Sequence, residues 1–113
     1  MHELDLARSV VDAIQAEAVK QSFRKVDLIV LEIGALSCVD PHALEFGMDA
    51  ATRGTCAEGA KLEIQSPPGE AQCFGCGETV ALARKGDPCP NCGSFQLVVS
   101  GGEELKIKSL EVH

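Results

Sequence analysis

A chain of 113 residues makes one ordinary domain, or one small domain with a satellite module, and this one carries a formal charge of −7. That balance repels phosphate backbones and anionic membrane surfaces unless the few cations cluster, and four Phe with no Trp or Tyr leave little to stack on nucleobases. No apolar run reaches bilayer length, and Met1-His2-Glu3-Leu4-Asp5-Leu6 lacks the regions of a secretory signal. The expectation is a cytoplasmic protein with no membrane and no nucleic-acid partner, in which six cysteines serve as metal ligands or free thiols before disulfides.

Leu4, Ala7, Val10, Val11, Ile14 and Ala18 recur at helical spacing, which predicts a helix over 4–20 that starts almost at the first residue. Val26–Ile33 is rich in β-branched residues and apolar on both parities, so it reads as a strand, central in its sheet, ended by Gly34. Asp40-Pro41 opens a second helix: Asp caps orphan N–H groups, Pro suits the first helical position, and Gly54 is placed to close the helix. Ala60–Gln65 alternates as a half-buried strand, and Ser66-Pro67-Pro68-Gly69 is a linker. A unit over 70–100 follows, with short apolar runs at Val80–Ala83 and Leu97–Val99. After the Gly101-Gly102 hinge, Glu103–Val112 reads as a strand whose alternation slips. Three strands under two helices make a stable layer where two strands hardly do, so the last strand is expected to return to the first domain. The fold class is therefore α+β: a three-stranded sheet with two helices (1–69 and 103–113), plus a ribbon domain (70–102) inserted before the last strand.

Cys73-Phe74-Gly75-Cys76-Gly77 and Cys89-Pro90-Asn91-Cys92-Gly93 are two knuckles twelve residues apart. A C-x-x-C turn aims both sulfurs at one point, and the Gly that follows allows backbone amides to face the thiolates. Two such knuckles predict a closed tetrahedral site at Cys73, Cys76, Cys89 and Cys92, suited to structural zinc, with iron the minority option. So short a segment cannot bury its own core, and structural zinc supplies about 10–16 kcal/mol in small peptides. Closed coordination leaves no open position for a substrate, so no catalytic role is expected. Cys38 and Cys56 read as small buried hydrophobes. His42 reads as a solvated or capping residue, His113 as a frayed end, Glu103-Glu104 as a solvated pair and Arg84-Lys85 as hairpin-turn charges.

Met1-His2-Glu3 can close adjacent chelate rings: the α-amine, the His2 backbone nitrogen and the His2 imidazole, with Glu3 adding a backbone nitrogen or a carboxylate. Such N/O sets in a plane suit Ni(II) or Cu(II). An early His alone is commonplace, and a solvated terminus accounts for it equally well.

Taken together, Met1-His2-Glu3-Leu4, Leu31-Glu32-Ile33-Gly34-Ala35-Leu36-Ser37, Thr52-Arg53-Gly54-Thr55, Ala57-Glu58-Gly59-Ala60-Lys61-Leu62 and the knuckles resemble the HypA/HybF family of hydrogenase-maturation nickel metallochaperones. The resemblance covers nearly the whole chain. It implies an α+β nickel domain plus a zinc ribbon, with Ni(II) as transferred cargo at Met1, His2 and Glu3. It implies structural Zn(II) at the four knuckle cysteines. It further implies a nickel-handling GTPase and the large subunit of [NiFe]-hydrogenase as partners, with urease accessory proteins for some members. Some members place His beside the knuckle cysteines, whereas this ribbon contains none. The alternatives are a zinc-ribbon adaptor, a nucleic-acid-binding module without nickel transfer, or a thiol oxidoreductase. Arg84 and Lys85 stand against Glu70, Glu78 and Asp87, which is no basic patch.

Overall fold

Helix α1 runs His2–Gln21 and buries Ala7, Val10, Val11 and Ile14 of the stripe that the helical spacing marks out, while Leu4 at its start is exposed and Ala18 half-buried. The computed structural model describes residues 2–113, and of His2 the backbone alone. Strand β1 (Val26–Ile33) follows, then α2 (Pro41–Ala51), β2 (Lys61–Gln65), β3 (Gly69–Cys73), β4 (Thr79–Leu82), β5 (Leu97–Gly101) and β6 (Leu105–Val112). The fold is α+β, with two helices and two three-stranded sheets ordered β2-β1-β6 and β4-β3-β5. β1 is the central strand of its sheet, as its apolar residues on both parities require. β6 joins the same sheet, with Leu105, Ile107 and Leu110 half-buried and both Lys108 and Ser109 exposed where the alternation slips.

Two compact units divide the chain. The first takes in Met1–Leu31, Val39–Ile64 and Ile107–His113 and holds both helices. Its buried apolar residues include Val26, Ile29 and Leu31 of β1 and Leu44 and Met48 of α2. α2 starts as its sequence dictates: Asp40 Oδ1 accepts from the His42 and Ala43 N–H groups at 3.0 and 3.4 Å. It ends earlier than Gly54, at Ala51, where the Thr52 N–H closes on the Met48 carbonyl at 2.9 Å. Phe46 stands 80% exposed on α2, over a surface groove of about 630 Å³ whose walls include Ile29, Met48 and Leu62. His113 is pinned rather than frayed: its carbonyl accepts from Arg24 and Lys25 N–H, each at 3.0 Å, and its Nδ1 lies 2.6 Å from Asp27 Oδ2.

The second unit takes in Glu32–Cys38 and Gln65–Lys106. β3 is its middle strand, antiparallel to β4 with Ala71 opposite Val80, and to β5 with Cys73 opposite Leu97. Its core is Leu36, Ala71 and Leu82, against which Leu97 and Val99 pack. Leu36 reaches this core because the backbones close by are glycine. A Cβ at Gly69 would overlap the Leu36 side chain, and one at Gly34 would overlap the Gly102 backbone. Lys85 Nζ pairs with Glu103 Oε2 at 2.8 Å, so Glu103 is not the purely solvated charge expected of it, and the contact raises the Lys85 pKa. No helix among the described residues is long and apolar enough to cross a membrane.

Candidate metal centre

The end of β3 and the loop before β5 each carry one knuckle. In the first, the Gly77 N–H closes on the Cys73 carbonyl at 2.9 Å; in the second, the Gly93 N–H closes on the Cys89 carbonyl at 2.8 Å. Gly77 and Gly93 adopt φ of 78° and 79°, a left-handed conformation that a side chain would strain. The amides that face sulfur come earlier in each turn: Gly75 N–H to Cys73 Sγ at 3.3 Å, and Asn91 N–H to Cys89 Sγ at 3.4 Å.

These turns bring Cys73, Cys76, Cys89 and Cys92 together, with all four sulfurs within 4.8 Å of one another. Cys73 and Cys92 Sγ are 3.6 Å apart, and Cys76 and Cys89 Sγ 3.9 Å. Zn–S bonds of about 2.3 Å in a tetrahedron separate the sulfurs by about 3.8 Å, close to the two shorter of these separations, so the cluster suits a zinc ion. None of the four is in a disulfide. Cys73 and Cys89 are buried, and Cys92 is exposed at its surface although its sulfur faces the other three.

The thiols of this cage are unequal. The Asn91 side-chain amide and the Glu78 N–H lower the Cys76 thiol to about 7. The Ser94 N–H draws the Cys92 thiol down, but desolvation and the neighbouring Cys73, Cys89 and Cys76 sulfurs outweigh it and push it up to about 12. Burial raises the Cys89 thiol, yet the Cys92 and Asn91 N–H groups and its sulfur neighbours leave it lowered. The bond from Asn91 Nδ2 to Cys76 Sγ, 3.5 Å, crosses between the knuckles and is not implied by the cysteine spacing. Its one sequence signal is a donor-bearing side chain inside a knuckle.

Of the N-terminal triplet, Met1 lies outside the described residues and His2 enters as the first residue of α1. Glu3 is half-buried, and its Oε2 accepts from the Asp40 N–H at 3.5 Å, which sets the first turn of α1 beside the start of α2. His42 is exposed there, with its N–H on the Asp40 cap. Cys38 is exposed and Cys56 partly exposed, which corrects the reading of both as buried hydrophobes. Cys38 sits at φ 62° in the turn that follows Leu36, and that turn carries its side chain outward. Among the described residues, the four knuckle cysteines are the one group of three or more metal-ligating side chains close enough to share an ion.

Over residues 1–112 the chain matches the family described as hydrogenase/urease nickel incorporation, metallochaperone, HypA. It is 49% identical over 112 residues to the hydrogenase maturation factor HypA of Alkalilimnicola ehrlichii, with 99% of each chain covered. To the hydrogenase maturation factor HypA of Azotobacter vinelandii it is 46% identical, again over 112 residues and 99% of each chain. The solution structure of the Ni metallochaperone HypA from Helicobacter pylori shares the fold, with a TM-score of 0.72 over 97% of this chain and 96% of that one at 22% identity. With the α+β architecture, the four-cysteine cluster and a match that runs from end to end, the chain belongs to the HypA family of nickel-incorporation metallochaperones, which are maturation factors and not enzymes.

Proposed function

We propose that the chain takes up Ni(II) as cargo through Met1, His2 and Glu3 and delivers it for maturation of [NiFe]-hydrogenase, while Cys73, Cys76, Cys89 and Cys92 hold a structural Zn(II). Family membership over the full length carries this reading, and the start of α1 at His2 supports it. Amides in the first turn of a helix have no intrahelical acceptor, so the His2 and Glu3 nitrogens are not committed to the helix ladder. Once deprotonated, they complement the α-amine and the His2 imidazole as in-plane donors for nickel. A cation at this end of a helix meets the positive end of the macrodipole, and Glu3 and Asp5 in the first turn offset it. These donors must lose protons to bind, so nickel affinity falls at acid pH.

Zinc bound by the four cysteines would supply a fixed cross-link between the turn after β3 and the loop before β5. The helical unit then handles nickel and the ribbon keeps its shape. The partners of this reading are a nickel-handling GTPase, the hydrogenase large subunit and, for urease, its accessory proteins, all met in the cytoplasm. Titration of Ni(II) into protein with its native, untagged start, beside a His2→Ala variant, tests the reading. The variant is expected to lose the tight nickel equivalent and keep its zinc. Unchanged nickel affinity and stoichiometry would remove the N-terminal site.

A further inference from the structure

Asn91 faces the cysteine cage twice. Its backbone N–H points at Cys89 Sγ in its own knuckle, and its side-chain Nδ2 reaches Cys76 Sγ in the other, at 3.4 and 3.5 Å. The matching position in the first knuckle is Gly75, which offers Cys73 Sγ a backbone N–H and has no side chain to send across. One side chain therefore makes the two knuckles unequal. Cys76 receives a donor from each knuckle, Glu78 N–H from its own and Asn91 Nδ2 from the other. Cys92, the most exposed side of the cage, receives the Ser94 N–H.

Four thiolates around one divalent cation carry a surplus of negative charge, in a chain whose formal charge is already −7. Donors to sulfur drain that charge, hold the thiolate on the metal and lower its nucleophilicity. We propose that Asn91 is a positioning residue for the bound zinc, its side-chain amide clamping Cys76 across the two knuckles. The clamp slows zinc release and shields Cys76 from electrophiles, leaving Cys92 as the weak side of the cage. This rests on the cysteine cluster holding zinc, as proposed above. The plainer account of Asn91 is a turn residue chosen for backbone conformation, and the test must separate the two.

Asn91→Asp keeps the size and turn preference but replaces the donor with an anionic acceptor; Asn91→Ser keeps a turn-forming residue and shortens the reach. The experiment uses zinc-loaded full-length protein. Zinc transfer to a metallochromic chelator gives a release rate, and brief iodoacetamide labelling with peptide mass spectrometry gives the reactivity of each cysteine. In the wild type, Cys92 is expected to label before Cys76. Both variants are expected to release zinc about three- to tenfold faster, with Cys76 labelling raised by a similar factor and Nδ2-independent Cys92 labelling unchanged. A Cys76-to-Cys92 labelling ratio equal to that of wild type, or acceleration of all four cysteines in step, would leave Asn91 a turn residue and overturn the clamp. Zinc content of the wild type is measured first: a protein that holds no zinc overturns the zinc reading itself, and the clamp with it.

Discussion

Leu36 shows how much one side chain carries in a small unit. It is 1% exposed although it sits in a turn, and Ala71, Leu82, Leu97 and Val99 pack around it. So small a core has few other apolar residues to close a gap, so Leu36→Ala is expected to cost about 2–4 kcal/mol in urea denaturation of the zinc-loaded protein. A shift of the midpoint no larger than that of an exposed Val19→Ala control would show that Leu36 does not hold the ribbon core.

At the scale of elements, the crossing of α1 over α2 seats the chain's first turn. A Cβ on Gly47 would come within 3.3 Å of the Glu3 carbonyl oxygen and 3.4 Å of Ala7 Cβ. Gly47→Ala needs only a small give from these neighbours and gains about 0.5–1 kcal/mol of helix propensity, so it is expected to be near neutral. Gly47→Val adds two methyls at the same contact and is expected to cost about 1–3 kcal/mol and, if the proposed N-terminal site holds nickel, to weaken its binding by displacing Glu3 from the Asp40 N–H. Thermal denaturation and Ni(II) titration of the pair check both parts; a Val variant that melts and binds like the Ala variant would show that the crossing does not seat the terminus. The elements differ in how far the sequence reveals them. α1 and β1 are legible because their apolar spacing repeats over many residues, and the Asp40-Pro41 start of α2 is legible because capping is local chemistry. β3 is not: Gly69-Glu70-Ala71-Gln72-Cys73 has no β-branched or aromatic residue, and it is a strand because β4 and β5 pair with it on both sides. The knuckle cysteines could be read from spacing alone. The Leu36 packing and the Asn91 bond join distant stretches of chain and leave no periodic trace.

At the scale of the whole molecule, the helices and the cysteine cage fall in different units. α1 and α2 both belong to the first unit, and the described residues of the second are strands and turns around the cysteine cage. The helical circular dichroism signal near 222 nm therefore reports chiefly the first unit, while on the zinc reading proposed above the loaded cage holds the order of the second. A chain segment that lacks a sufficient apolar core depends on its metal for folding, so chelation should unfold the ribbon. The first unit has buried residues from α1, β1 and α2 that owe nothing to sulfur. Removal of zinc by a strong chelator under reducing conditions is thus expected to leave the 222 nm signal largely intact while amide resonances of residues 69–101 collapse toward random-coil positions. Nickel uptake at the N-terminus is expected to survive the same treatment, because none of its proposed donors is a cysteine. Loss of the helical signal in step with zinc would mean that the metal holds up both units. In that case a cargo site at the start of α1 could not be separated from the scaffold, and nickel and zinc occupancy would rise and fall together.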